Sequence, residues 1–174
     1  NGAVIKPDVQ TSLTALWVVD LMVQAGLPEG LVRVVLGPGP DLGPLVIDRS
    51  DVVMFTGSTP VGRTVAARCG ERLIPVSLEL GGKNAMIARA DAEIAKAADI
   101  AVRACFANAG QLCVSMERIY VHRALADAFI AAFAERTRAL TLGAQLGWGA
   151  DVGSLVSQRQ LERVLAHEIG RAHV

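Results

Sequence analysis

One cysteine and one carboxylate lie in glycine-containing segments that are suited to expose them. Cys113 ends the segment Gly110-Gln111-Leu112-Cys113, and Glu79 lies 34 positions earlier, just before Gly81 and Gly82. A thiol is a nucleophile that can form a covalent intermediate, and a carboxylate can activate the water that releases it. The pair therefore predicts covalent catalysis followed by hydrolysis.

Both residues also have structural interpretations. Taken alone, Cys113 is expected to be a buried structural cysteine, and Cys69 and Cys105 are expected to be small core or boundary residues. A carboxylate in a mostly apolar segment is either paired or functional, because unpaired burial is costly, and Lys83 could pair with Glu79. No histidine is placed to pair with a cysteine, and no ligand spacing indicates zinc, so no metal site is predicted.

A further segment is suited to hold a phosphate. Gly57 and Ser58 stand between a predicted strand and a predicted helix, and the segment continues to Gly62. Glycine allows a ligand to approach the backbone, and the first turn of a helix offers free N–H groups. An ordinary turn capped by Ser58 explains the pattern equally well. The glycine spacing matches neither the dinucleotide fingerprint nor the P-loop.

Lys6 ends the first predicted strand, at the edge where open α/β sheets bind ligands. A lysine there can donate hydrogen bonds to ribose hydroxyls or to a phosphate, although a surface lysine would look identical. Val9 lies close by, and an apolar residue does not repel a 2′-phosphate as an acidic residue would. The sequence therefore admits NADP as well as NAD.

The composition limits the classes of protein. Of the 174 residues, 52% are hydrophobic and only 4% aromatic, which favours the aliphatic strands of parallel α/β layers. Seventeen basic and seventeen acidic residues cancel, so no attraction to nucleic acid or to anionic membranes is predicted. Three cysteines without framework spacing favour a reducing compartment, the cytoplasm. No apolar run reaches the ~18 residues of a membrane-spanning helix.

Strand and helix patterns alternate along the chain, which predicts a parallel sheet with right-handed crossovers. The first part has predicted strands at 3–6, 32–36, 51–55 and 73–78 and predicted helices at 11–25, 42–47 and 59–68. The pattern restarts after Gly81 and Gly82, with strands at 84–88 and 118–122 and helices at 91–108, at 124–140 and from 157 onward. We therefore predict two domains, residues 1–80 and 81–167.

The two ends indicate a piece of a longer protein. The sequence opens on a strand without an initiator methionine. Residues 168–174 match what one frame of a common sequencing-adaptor oligonucleotide encodes, so we expect a non-native tail there. A genuine helix that ends at Gly170 is the alternative.

In these motifs the chain resembles the aldehyde dehydrogenase superfamily. The motifs follow one another in the family's order and at suitable spacing over residues 1–167: Lys6-Pro7, Phe55-Thr56-Gly57-Ser58-Thr59, Leu78-Glu79-Leu80-Gly81-Gly82-Lys83 and Gly110-Gln111-Leu112-Cys113. The resemblance implies an α/β fold. Residues 1–80 would belong to a Rossmann-type NAD(P)-binding domain with a parallel sheet, and residues 81–167 would begin an α/β catalytic domain.

The resemblance also implies a reaction. Cys113 would attack an aldehyde to form a thiohemiacetal, hydride transfer to the nicotinamide would leave a thioester, and water activated by Glu79 would release the acid. An upstream asparagine that would complete the oxyanion site lies outside the chain. We therefore expect these 174 residues to be inactive alone, although the parent protein is an enzyme.

The cofactor residues follow from the same resemblance. Lys6 would contact the adenosine ribose, and Ser58 would contact the pyrophosphate in the turn that carries Gly57 and Gly62. Leu80 would lie beside the nicotinamide.

Several stretches look most like the actinobacterial-type succinate-semialdehyde dehydrogenases that prefer NADP, among them Lys6-Pro7-Asp8 and the stretch from Gly110 to Arg118. Val9 agrees with this preference. The implied substrate is the small molecule succinate semialdehyde, and the implied parent is a homo-oligomer. A dehydrogenase of an aromatic or betaine aldehyde is an alternative, and so is a non-catalytic nucleotide-binding module with an inert cysteine.

Overall fold

The computed structural model describes residues 1–145 and 147–171, with side chains described up to residue 167. The chain divides into two compact units, residues 1–80 and 81–174. Their assignment to a cofactor-binding and a catalytic domain stays a prediction. The predicted non-native tail, residues 168–174, has no described side chains, and its last three residues lie outside the described part altogether.

Strands and helices alternate in the first unit, in the predicted order. The elements are β1 (Ala3–Ile5), α1 (Ser12–Gln24), β2 (Val32–Val34), α2 (Gly39–Asp48), β3 (Val53–Gly57), α3 (Thr59–Glu71) and β4 (Val76–Leu80). β1 pairs with β2 and β3 pairs with β4, and both pairs are parallel. A parallel pair needs a crossover, which α1 and α3 supply. The prediction of a parallel α/β fold is confirmed, although the strands form two pairs rather than one continuous ladder.

Helix α2 begins earlier than the sequence predicts. The sequence predicts a start at Leu42, because the preceding glycines and prolines have the composition of a turn. In the structure the helix starts at Gly39, and Pro40 lies in its first turn. Proline is tolerated there, since its missing N–H would have no helical partner and its fixed φ suits the helix. The proline in the first turn is therefore compatible with a helix that begins at Gly39.

The strand that carries Glu79 begins later than the sequence predicts. The sequence predicts a start at Leu73, but Leu73 has a φ of 55° and closes the end of α3. The N–H of Ile74 donates to the Cys69 carbonyl at 3.1 Å, which completes this left-handed helix end. Pro75 has no N–H to donate, and β4 starts directly after it.

The second unit is built on one parallel strand pair with helices around it. Its elements are β5 (Asn84–Ala88), α4 (Ile94–Phe106), β6 (Met116–Val121), α5 (Ala126–Arg138) and α6 (Gln158–Arg171). β5 and β6 pair in parallel, with a shift of register between Asn84 and Ala85. Such an irregularity re-aims side chains at the start of a strand.

The core of the second unit lies between α4 and α5. Ala97, Ala98 and Ala101 face Phe129, and all four are buried. The Phe129 and Phe133 rings stack with their centroids 6.0 Å apart, so both lie on the apolar face predicted for α5. Small alanines let the two helices approach closely, and the aromatic rings fill the space. Among the described residues, no helix has the length and apolar character needed to span a membrane.

Candidate active site

Cys113 lies in a β-turn between α4 and β6. The N–H of Ser115 donates to the Leu112 carbonyl at 3.1 Å, which makes Cys113 the second residue of the turn. The Cys113 side chain is exposed, so the expectation of a buried structural cysteine is wrong. The physical reason is that the turn follows the end of α4 and stands outside the core which that helix builds.

The other two cysteines are placed as the sequence predicts. Cys69 is fully buried at the end of α3, and Cys105 is half-buried in α4. Burial raises the pKa of the Cys105 thiol, because the charged thiolate loses solvation. Neither residue is presented to solvent as Cys113 is.

A strained left-handed turn precedes the cysteine. Asn108, Ala109 and Gly110 have φ values of 52°, 54° and 73°. The predicted helix therefore ends early, at Phe106 instead of Asn108. Left-handed backbone costs a non-glycine residue roughly 1–2 kcal/mol, and such strain clusters at functional sites. Gly110 must be small as well, since a Cβ there would lie 3.2 Å from the Cys105 carbonyl oxygen.

Gln111 holds this strained turn through its side chain. Its Nε2 donates to the Asn108 carbonyl at 3.1 Å, and its Oε1 accepts a hydrogen bond from the Val156 N–H at 2.9 Å. Val156 lies 45 positions later in the chain, before α6. Sequence reasoning missed this contact, because no local pattern connects the two segments.

Asn84 also holds the turn of Cys113, through its side-chain amide. Its Nδ2 donates to the Cys113 carbonyl at 2.6 Å and to the Ser115 carbonyl at 3.0 Å. Ser115 is only 4% exposed, so its carbonyl needs a protein donor in place of water. The sequence shows an asparagine after Gly-Gly-Lys but gives no signal of what its amide contacts.

Lys83 forms an ion pair with Glu117, the second residue of β6. Both side chains are largely exposed. The ammonium that the sequence offered as a partner for Glu79 is thus engaged by a different carboxylate.

Glu79 lies on β4 opposite Thr56 of β3. Its side chain is exposed, although the segment around it is mostly apolar. Side chains alternate along a strand, and Glu79 shares the open face with Ser77, whereas Leu78 and Leu80 face the other side. Glu79 makes no hydrogen bond or ion pair within the part of the chain that the structure describes.

Leu80 packs against Gly62 of α3. A Cβ at Gly62 would lie 2.6 Å from the Leu80 Cδ2 atom, so only glycine allows this approach. Gly62 is accordingly buried. The structure thus joins two of the predicted cofactor residues in one contact.

The turn between β3 and α3 is exposed at Ser58. Gly57 ends β3, where a Cβ would lie 2.6 Å from the Phe55 Cζ atom. Ser58 precedes the first residue of α3, and its hydroxyl makes no capping hydrogen bond. The exposed hydroxyl and the first-turn N–H groups therefore have no capping arrangement of the kind expected for an ordinary turn.

Lys6 lies just beyond the carboxyl end of β1. Its Nζ donates to the Pro7 carbonyl at 2.6 Å and to the Gly37 carbonyl at 3.3 Å. An ammonium has three N–H donors, so these two bonds leave one for another acceptor. Lys6 is half-buried and held by two carbonyls, unlike a freely solvated surface lysine.

Within each unit, the predicted site residues lie at strand ends and turns, except Gly62, which lies in α3. Lys6 belongs to the β1–β2 pair, whereas Gly57, Ser58, Gly62, Glu79 and Leu80 belong to β3, α3 and β4. No group of three or more histidine, cysteine, aspartate or glutamate side chains is arranged to hold a metal ion in residues 1–145 and 147–171.

Comparison with known proteins gives a consistent result. Residues 1–172 match the aldehyde dehydrogenase family. Over 167 residues, the chain is 51% identical to a Mycolicibacterium smegmatis protein provisionally named succinate-semialdehyde dehydrogenase (NADP+). That alignment covers 96% of the chain but 32% of the relative, so the chain spans about a third of its length.

Two further proteins extend the comparison. The phenylacetaldehyde dehydrogenase of Pseudomonas fluorescens is 41% identical over 169 residues, which cover 96% of the chain and 34% of that protein. The NAD+ complex of an aldehyde dehydrogenase from Bacillus cereus superposes with a TM-score of 0.91 at 35% identity, over 99% of the chain and 36% of that structure.

Proposed function

Because the chain belongs to the aldehyde dehydrogenase family, we propose that the full-length protein oxidises an aldehyde to its carboxylic acid with NAD(P)+. The observation that carries this proposal is the exposed thiol of Cys113 in a turn whose carbonyls are held by hydrogen bonds. An inert cysteine in a nucleotide-binding module would need neither the exposure nor the strained backbone before it.

The Cys113 thiolate is the nucleophile in this proposal. Its sulfur adds to the aldehyde carbon, and the resulting thiohemiacetal oxygen is stabilised by the Cys113 backbone N–H. Bound NAD(P)+ supplies the hydride acceptor, and a thioester on Cys113 is the product of that oxidation. Glu79 then removes a proton from water as the water attacks the thioester carbon, and the acid leaves as the sulfur is released.

The cofactor residues proposed here fit a nucleotide. Ser58 and the first-turn N–H groups of α3 suit a pyrophosphate, and Gly57 keeps the approach open. Lys6 has one donor left for a ribose hydroxyl. Leu80, fixed by Gly62, would pack beside the nicotinamide.

NADP is the proposed preference over NAD. Val9 is 55% exposed and apolar, so it presents no negative charge to a 2′-phosphate. The name of the Mycolicibacterium smegmatis relative agrees, since it includes NADP+.

Succinate semialdehyde is the proposed substrate, on the strength of the 51% identity to that relative. An aromatic aldehyde is the second candidate, because a 41% identical relative is a phenylacetaldehyde dehydrogenase. The parent is further proposed to be a cytoplasmic homo-oligomer. The 174 residues alone are proposed to be inactive, since one missing oxyanion donor costs on the order of 10²–10³ in rate.

A steady-state assay of the full-length protein tests the proposal. Succinate semialdehyde, phenylacetaldehyde and betaine aldehyde are each supplied with NAD+ or NADP+, and reduced cofactor is followed by absorbance. Cys113→Ser and Glu79→Gln are expected to abolish or strongly reduce turnover, whereas Glu29→Gln, an exposed carboxylate in the first unit, serves as the matched control. Full activity of Cys113→Ser would refute the nucleophile, and a higher kcat/KM for phenylacetaldehyde would refute the substrate.

A further inference from the structure

We propose that Asn84 is a positioning residue, whose side-chain amide holds the backbone of the nucleophile's turn in its reactive geometry. The proposal rests on the proposed function, because it needs Cys113 to be the nucleophile. It adds a residue that touches only the backbone around Cys113 and acts through it.

Both N–H donors of the Asn84 amide bond to the turn. One N–H donates to the Cys113 carbonyl and the other to the Ser115 carbonyl, at donor–acceptor distances of 2.6 and 3.0 Å. The Leu112 carbonyl is already bonded by the Ser115 N–H. The carbonyl groups of Leu112, Cys113 and Ser115 therefore each accept a hydrogen bond.

A rigid element carries this amide. Asn84 is the first residue of β5 and pairs with Met116, the first residue of β6. Farther along the same pair, Met86 and Ile119 pack against the α4–α5 core. The shift of register places its extra residue, Glu117, in β6, so Asn84 keeps the regular alternation of β5 and lies on the same face as Met86. The turn is thus hydrogen-bonded to a strand pair that packs against the core of the second unit.

Fixing the Cys113 carbonyl also fixes the nucleophile. The hydrogen bond to the Cys113 carbonyl sets the peptide plane that follows Cys113. This plane limits the ψ torsion of Cys113, on which the directions of the thiol and of the Cys113 backbone N–H depend. A reacting atom must approach to about 3–3.5 Å with correct alignment, and a misplacement of 1 Å can cost about 10²-fold in rate. The turn is exposed from Leu112 to Val114, and strained Asn108 and Ala109 precede it.

Asn84→Asp is the sharpest variant, because aspartate has nearly the same shape but turns two donors into acceptors facing two carbonyl oxygens. In the full-length protein we expect kcat to fall about 10- to 100-fold, with KM for the aldehyde changed less than about threefold. Gln158→Glu makes the same amide-to-carboxylate change at the exposed start of α6 and should leave kcat unchanged.

Thiol reactivity separates positioning from simple stability. Alkylation of Cys113 by iodoacetamide is followed across pH by mass spectrometry of its peptide, which distinguishes it from Cys69 and Cys105. We expect Asn84→Asp to shift the pH profile or the limiting rate for Cys113. A residue that only stabilised the fold would lower the melting temperature and leave both kcat per folded molecule and this profile unchanged.

The outcomes of the two proposals are distinguishable. If Cys113→Ser is inactive but folded Asn84→Asp keeps kcat and the alkylation profile within about twofold, the positioning proposal is overturned and the proposed function stands. If Cys113→Ser is active, both fall. Should Asn84→Asp fail to fold, Asn84→Ala replaces it, with an expected kcat loss of about tenfold. An unchanged kcat in Asn84→Ala would likewise overturn the proposal.

Discussion

The side-chain oxygen of Gln111 accepts a hydrogen bond from the backbone N–H of Val156 at 2.9 Å, across 45 positions of the chain. The same side chain donates its Nε2 to the Asn108 carbonyl within the left-handed turn. One residue, two positions before Cys113, thus connects the strained turn to a distant segment of the second unit.

Two substitutions separate the bonds of Gln111. Gln111→Glu keeps the oxygen that accepts from Val156 but loses the donor to Asn108, whereas Gln111→Met loses both. We expect amide hydrogen exchange at Val156 to accelerate in Gln111→Met much more than in Gln111→Glu, because a lost acceptor opens that amide to water. Equal exchange in the two variants would show that the bond from Val156 does not protect this segment.

Gly62 sets the position of Leu80. In Gly62→Ala the new Cβ would meet the end of the Leu80 side chain at 2.6 Å, so that leucine must rotate. We expect the KM for NAD(P)+ to rise about tenfold, because Leu80 would leave the place that we propose for it beside the nicotinamide. The cost in stability should stay below about 1 kcal/mol, since alanine favours the helix by a similar amount.

Gly70→Ala is the matched control for that change. Gly70 lies in the same helix, and a Cβ there would meet nothing within 4 Å. Steady-state kinetics and thermal melting of both variants check the prediction. A KM unchanged by Gly62→Ala would mean that Leu80 does not contact the cofactor.

Leu73 carries unnecessary backbone strain. Its φ is 55° and its side chain is 92% exposed, so the leucine makes little packing contact to offset the left-handed conformation. Leu73→Gly should raise the free energy of unfolding by about 0.5–1 kcal/mol, because relief of strain exceeds the entropy gained by the unfolded chain. Leu73→Ala keeps the same φ penalty and should change stability little. Urea unfolding compares the two variants, and equal free energies of unfolding would contradict the proposed strain at Leu73.

The ion pair of Asp48 and Arg68 predicts that the stability of the first unit depends on pH. Arg68 Nε donates to Asp48 Oδ1 at 2.8 Å, and this hydrogen bond, aided by the nearby arginine charges, lowers the pKa of the Asp48 carboxyl. A lowered pKa means that the folded state prefers the ionised form. The stabilisation is therefore present above the ordinary aspartate pKa and is lost as pH falls through the lowered value.

Asp48→Asn tests that sign. Urea unfolding should show the variant less stable than the parent at pH 7, and the difference should shrink as the pH is lowered into the range where Asp48 takes up its proton. Because the Arg68 and Asp48 side chains are still 40% and 36% exposed, the effect at pH 7 should be small and should weaken further in salt. A difference that grows toward low pH would contradict the assigned direction.

The sequence predicts the order of elements because that order follows from local patterns. The helix over α5 was visible from the spacing of Phe129 and Phe133, and β5 from its apolar residues after two glycines. The left-handed turn was not, since nothing in an alanine at position 109 marks a residue that leaves the right-handed helix. The contacts of Asn84 and Gln111 depend on segments 29 to 45 positions away, so only the folded chain brings them together.

For the same reason, the sequence predicts which residues form the site better than it predicts their exposure. Residue type and neighbouring glycines singled out Cys113 and Glu79, but exposure depends on the turn and the strand face on which each lies. Cys113 taken alone is expected to be buried and is exposed, and Glu79 is exposed within a mostly apolar segment. Their catalytic roles stay predictions.

Trapping the covalent intermediate tests the central claim most directly. Full-length protein carrying Glu79→Gln is mixed with succinate semialdehyde and NADP+, quenched in acid within a single turnover and digested for mass spectrometry. We predict one equivalent of reduced cofactor per active site and a succinyl adduct on the peptide that contains Cys113, because release of the thioester is slowed. Reduced cofactor formed without any adduct on Cys113, or with the adduct on another residue, would contradict the account.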